Sequence, residues 1–300
     1  MRMKLRHFRF GVVAAALLVA AAFFVPCAAA QNPDNMMPEQ SEAKGKQILR
    51  DLIAGLGGPG YTEVLESECE GRRTQFGHSG EPLRPVLMDF IDYRHYPDKA
   101  RIEFIRKGRH TILQSIIGID GLDFTHGGII ITLFNGDRGW SYDRSGVSEL
   151  PVTSVTDFQE AAKRSVDNLL RFRLKEPGLS IRFGGSDTVD LRQVDWVEIN
   201  DSEGRKYRLA VNRSTHLLDR VVVSTDDPEN QQVNDDATIY SNYQLKDSVW
   251  TPMQFTREHN GHRTAQFFLD SCRYNPSFPP DLFSKDSLKT RGAELVSKKK

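Results

Sequence analysis

Glu66, Glu68 and Glu70 recur at every second position of a β-patterned stretch, so they share one face of a strand. Paired carboxylates at close range can act as general acid and base. Leu65 and Cys69 take the opposite face, which is the pattern of a strand with a solvated acidic exterior. His259 and His262 flank Asn260-Gly261 and could offer two imidazoles to a metal, but no third ligand stands nearby. Asp226, Asp227, Asp235 and Asp236 fall in one polar stretch, 224–236, that could hold Ca²⁺. Their spacing is not that of an EF-hand loop, and a solvated hairpin accounts for them. Gly77-His78-Ser79-Gly80-Glu81 approximates a nucleophile elbow, yet Glu81 replaces the final Gly and the flanking elements read as strands. Gly57-Gly58-Pro59-Gly60 follows a helix and lacks the Lys-Ser/Thr of a phosphate loop, so it reads as a helix stop. Trp140, Trp196 and Trp250 sit in strand patterns, as core or rim residues rather than a sugar platform. No catalytic residue, metal site or cofactor is assigned, and an enzyme is not expected.

Positioning elements follow from the rest of the 300 residues. With 40 basic and 40 acidic residues the net charge is zero, and no basic–aromatic interleaving appears, so a nucleic-acid partner is not expected. An apolar content of 39% is enough for a real core. Arg2, Lys4, Arg6 and Arg9 form a basic head, followed by 15 uncharged residues, 11–25. A membrane-spanning helix needs ~20. Ala28-Ala29-Ala30 completes the order of a secretory signal peptide over 1–30, with export to the periplasm expected. Cys27 opens a rival reading as a lipidated anchor, which Pro26 fits poorly. Removal of 1–30 leaves 36 basic and 40 acidic residues, a net of −4. Cys69 and Cys272 survive export, and an even count in an oxidising compartment favours a disulfide over two buried free thiols.

Residues 31–42 read as a flexible leader. Ser41 can cap a helix whose Ala43, Ile48, Leu49, Leu52, Ile53 and Leu56 share a face. The period then changes to two. Strands are expected near 65–75, 86–95, 100–107, 111–117 and 129–134, then 179–183, 193–199, 207–211, 220–224, 237–243, 253–259 and 263–273. Between the two groups, Val155, Phe158, Ala162, Val166, Leu169 and Leu170 predict one long helix ended by Pro177-Gly178. Hairpin-length links make the sheet antiparallel.

The layout resembles a known family. The helix ending in Leu56-Gly57-Gly58 leads to Asn135-Gly136-Asp137-Arg138-Gly139-Trp140, which looks like the (D/N)G-x-x-G-W hairpin of LolA/LolB-like lipoprotein localisation factors and their secreted relatives. Arg213-Ser214-Thr215-His216-Leu217-Leu218 is similar to their x-x-T-x-L-P turn, with Leu218 in the Pro place. Residues 243–252 resemble Y-x-x-x-x-G-x-x-x-P with Ser248 in the Gly place, and Phe278-Pro279-Pro280-Asp281-Leu282-Phe283 resembles the P-x-x-x-F ending. The resemblance implies a mainly β (α+β) fold, an incomplete antiparallel β-barrel of about eleven strands wrapped around helices. It implies a single LolA-like half-barrel domain over 43–287, followed by a polar tail, 288–300. It also implies non-catalytic binding of lipid or acylated lipoprotein in an apolar concavity, for envelope transport. A sensor or adaptor that binds an envelope protein partner is the alternative. Candidates to line the concavity are Phe104, Ile131, Leu133, Phe158 and Leu169, each of which could equally be helix-on-sheet core.

Overall fold

The computed structural model describes residues 36–83, 86–105, 129–143, 145–227 and 231–297. The expected signal peptide, most of the leader and the strand at 111–117 lie outside these residues. Thirteen strands form one antiparallel sheet: β1 (Glu66–Gln75), β2 (Met88–His95), β3 (Lys99–Ile105), β4 (Ile129–Asn135), β5 (Arg138–Asp143), β6 (Gly146–Glu149), β7 (Ser180–Val189), β8 (Arg192–Asn200), β9 (Lys206–Asn212), β10 (Leu218–Asp227), β11 (Gln232–Lys246), β12 (Val249–His259) and β13 (His262–Tyr274). Their spatial order is β6-β5-β4-β3-β2-β1-β13-β12-β11-β10-β9-β8-β7. The sheet does not close, so the expected incomplete barrel around helices is the architecture found. The count exceeds eleven because the turns at Asn135-Gly136 and Ser145-Gly146 each carry short paired strands, β5 and β6. Residues 224–236, expected as a loop, mostly continue β10 and β11, with Ser224 opposite Asp235 and Asp226 opposite Val233.

Helix α1 (Pro38–Leu56) begins inside the expected leader, with Pro in the first turn where its missing N–H costs nothing. Ser41 is therefore not the cap. It is buried, and its hydroxyl donates to the Phe183 carbonyl at 3.3 Å. Ile48, Leu49, Leu52 and Leu56 bury one face of α1 against Phe183, Val197, Ile199, Leu209 and Val221. Burying such a side chain contributes ~1.5–3 kcal/mol. Gly57 at φ +130° ends the helix, and a Cβ there would lie 2.2 Å from the Ser248 carbonyl oxygen. A four-residue helix, α2 (Pro59–Thr62), follows and buries Tyr61.

The long second helix is broken. Helix α3 (Val152–Arg164) stops at Ser165, whose backbone is extended, and the chain restarts as α4 (Val166–Asn168) and a π-helical turn (Leu169–Arg173). Ser165 caps the restart by accepting the Asn168 N–H, and the Asn168 amide donates to the Ala162 and Pro97 carbonyls at 2.9 Å. This break turns Leu169 and Leu170 into the α1 core.

The expected polar tail is in fact largely a helix, α5 (Lys285–Ser297). It packs on the outer face of β4–β6, where Leu288 and Phe283 meet Ile129, Ile131, Leu133 and Trp140. Beneath it Arg101 and Glu103, each 1% exposed, form an ion pair at 2.9 Å. Arg291 of α5 joins Glu103 at 3.0 Å, and Arg101 also donates to the Leu282 carbonyl. A charge pair of this kind in strand β3 explains why the tail reads as polar yet is held down.

Candidate functional site

Alternation along the strands divides the sheet into an outer face under α5 and an inner face that holds α1. Cys69 and Cys272 are opposite each other on β1 and β13 and form a disulfide that joins positions 203 residues apart. Inner-face residues in phase with them build cross-strand rows. One row runs Tyr240, Phe255, Phe267, Arg73, Met88 across β11, β12, β13, β1 and β2. The next runs Leu269, Gly71, Phe90, Phe104, Ile130 across β13 and β1–β4. At Gly71 a Cβ would lie 2.2 Å from the Phe268 carbonyl oxygen, so the β-bulge beside it requires glycine.

The missing Gly71 side chain leaves room for Phe90 to meet Phe267 edge-on at 5.7 Å, and Phe267 stacks on Phe255 at 4.5 Å. Met88, Phe90 and Phe104 form a cluster of their own with Ile102, Ile130, Phe267 and Leu269, separate from the α1 core. Phe255, Phe267, Ile102, Ile130 and Tyr240 are only half-buried. An apolar half of the inner face therefore lies beyond α1, walled by aromatic rings.

Two guanidiniums sit among these rings. Arg73 lies over Phe104 at 4.2 Å, and Arg257 over Phe267 at 5.1 Å. Neither makes a side-chain hydrogen bond or ion pair among the described residues, and the Arg73 Nε is buried without an acceptor. Burial, then the charge of Arg257, brings Arg73 down to about 10. Burial also lowers Arg257, with Arg94 adding to the effect. The Arg257 side chain is nonetheless accessible to water. The neighbouring carboxylates are already engaged. Asp92 pairs with Arg94 at 2.7 Å, and Asp236 pairs with Arg164 at 3.0 Å and with His259 at 2.9 Å.

Toward the filled half, Arg171 is 2% exposed and lies between the rings of Tyr61 and Tyr96, at 4.4 and 4.5 Å. Asp167 pairs with it at 3.4 Å and accepts the Tyr61 hydroxyl proton at 2.9 Å.

Of the lining candidates, only Phe104 falls in the aromatic half. Ile131 and Leu133 face outward under α5, because residues 129–131 are apolar on both faces and the alternation places the odd positions outside. Leu169 belongs to the α1 core, and Phe158 stacks on Phe134 at 4.3 Å beside β4. Arg73, Phe90, Arg257 and Phe267 were missed. Their signal was present: arginine in phase with the inward Cys69 and Gly71 of one strand. The other motifs resolve into structure. Glu68 pairs with Arg273, Glu70 accepts from Ser271, and Glu66 accepts the Phe278 N–H. Ser79 donates to the Glu81 carboxylate at the surface. Trp140 is buried under α5, Trp196 is buried, and Trp250 is 40% exposed. A shallow depression of about 100 Å³ lies against α1, lined by Ile48, Asp51, Asp195 and Arg213. Its lining is mixed and it is remote from the aromatic rows.

An open antiparallel sheet curled around helices is the architecture that the resemblance to LolA/LolB-like factors implies. No family model matches the sequence, and no curated protein matches it. Among solved structures, the chain is similar to a DUF1329 family protein from Desulfovibrio piger, with 13% identity, 81% of this chain and 98% of that one covered, and a TM-score of 0.53. It also matches a putative outer membrane lipoprotein-sorting protein domain from Vibrio parahaemolyticus (12% identity, 83% and 99% covered, TM-score 0.48). A LolA superfamily protein from Nitrosomonas europaea matches at 11% identity, 81% and 98% covered, with a TM-score of 0.47. At these identities the likeness is one of fold. Among the described residues no helix is long and apolar enough to cross a membrane.

Proposed function

We propose that this chain is a non-catalytic periplasmic binding protein that shelters the acyl chain of a lipid or lipoprotein against the inner face of its half-barrel. The observation that carries this reading is the half-buried apolar surface of Ile102, Ile130, Phe255 and Phe267, which lies over the buried Phe90 and Phe104 instead of on α1. Each buried methylene contributes ~0.8 kcal/mol, so one chain laid along these rings gains substantial affinity. The sequence order of basic head, apolar run and small-residue site supports export. Envelope transport is the role such binding serves.

Native mass spectrometry of residues 31–300, purified from a periplasm without detergent, tests the reading. A reproducible hydrophobic adduct, lost on organic extraction, is expected. A clean apo mass even after incubation with lipid overturns it. That result moves the weight to a sensor or adaptor, for which the two unpaired sheet edges, β6 and β7, offer backbone to an envelope protein.

A further inference from the structure

The unpaired arginines deepen the lipid-binding reading and rest on it. Burying a cation without a partner is unfavourable, and in folded proteins such groups are normally paired. Here Arg73 is partly buried with its Nε lacking an acceptor, and the more exposed Arg257 stands diagonally across β13 from it: Arg73 is opposite Phe267, and Arg257 is opposite Ala265, two residues along that strand. Both are on the face with the aromatic rows, and neither has an acceptor among the described residues. The nearby carboxylates Asp92 and Asp236 are held by Arg94 and by Arg164 with His259, so they do not neutralise the pair. Among the described residues other buried arginines have a carboxylate partner, Arg101 with Glu103, Arg205 with Asp201 and Arg171 with Asp167, although Arg171 also leaves its Nε and Nη1 without an acceptor.

We infer that Arg73 and Arg257 form the head-group site of an anionic single-chain amphiphile whose acyl chain lies along the half-buried Phe255 and Phe267, over the buried Phe90 and Phe104. Guanidinium forks match a head group with two anionic oxygens, and the shared chemistry is that of a fatty-acid carboxylate or a monoacyl phosphate. The rings serve both partners. Their faces hold the guanidiniums in place by cation–π contact and their edges meet the chain. A neutral lipid would leave both cations without an acceptor, which gives the site a preference for charge as well as for length.

The test is titration calorimetry of the delipidated exported chain with dodecanoate, dodecyl phosphate, dodecanol and inorganic phosphate. At least one dodecyl anion is expected to bind the wild type tenfold or more tightly than dodecanol, and inorganic phosphate far more weakly. R73M/R257M is expected to lose that preference while its dodecanol affinity stays within about twofold, and R73K/R257K to keep part of it. Equal binding of dodecanol and both anions by the wild type overturns the head-group assignment and leaves the lipid reading standing. So does a preference that survives in R73M/R257M. Inorganic phosphate binding as tightly as dodecyl phosphate overturns it in favour of a free-anion site. Failure of every dodecyl compound to bind removes both readings. The wild-type ranking and single R257M, at an accessible position, decide the matter if the double variant does not fold.

Discussion

Arg73 on β1 and Glu103 on β3 show opposite fates of charge in one sheet. Glu103 is 1% exposed and answers both Arg101 and Arg291. Glu103→Gln leaves Arg101 as a buried, uncompensated cation and is expected to cost about 3 kcal/mol, read as a lower urea midpoint with unchanged slope. Arg73 has no such partner, so Arg73→Met in ligand-free protein is expected to be neutral or to stabilise by about 1 kcal/mol in the same titration. A loss of stability would show that the guanidinium is held by contacts other than the ring. Asp201 gives the acid limb. Burial opposes its charge, but hydrogen bonds from Arg205 and Arg173 outweigh that and hold the carboxyl below its ordinary value. A carboxyl lowered in the folded state stabilises above its unfolded value, near ~3.9, and that contribution disappears as pH falls through the folded one. Stability is therefore expected to fall below about pH 4, and Asp201→Asn to be weaker at neutral pH with a flatter acid limb.

At the scale of elements, α1 docks on β7 at close range. A Cβ on Gly45 would lie 2.8 Å from the Arg182 carbonyl carbon. Gly45→Ala is expected to cost about 1–3 kcal/mol through this clash, despite the better helix propensity of alanine, and denaturant melts measure it. The apolar spacing of α1, the two-residue period of most strands and the hairpin turns were legible because each is set by local residue order. The break at Ser165 was not. The apolar face reads straight through it, and what breaks the helix is Asn168 reaching Pro97 across the core. Helix α5 was hidden for a related reason, since its docking rests on Leu288 and on the Arg101–Glu103–Arg291 cluster, whose members lie far apart in sequence. For the site, apolar runs such as 129–131 and 267–269 marked strands covered on both sides, yet they could not say which residues face inward. Only the register placed Phe104 on the inner face and Ile131 on the outer one.

Taken whole, the sheet is two meanders that meet where β1 pairs with β13. The Cys69–Cys272 disulfide staples that seam. A C69S/C272S variant, or reduction, is expected to lower stability, with an upper bound near 5 kcal/mol in the chain-entropy model for a loop of this size. Denaturant melts with and without reductant read the loss, and a two-hydrogen deficit in intact mass reports the bond. The same order has a topological consequence. Strands β6 and β7 follow one another in sequence but occupy opposite edges, and the segment 150–179 carries the chain between them. Were β13 linked directly to β1 and that segment cut, the thirteen strands would run as a single uninterrupted up-and-down zigzag. The natural chain instead begins its sheet in the middle, and β1 keeps a bare flank until β13 has been made. Closing that seam requires β13, and a circularly permuted chain is expected to fold faster than the natural one.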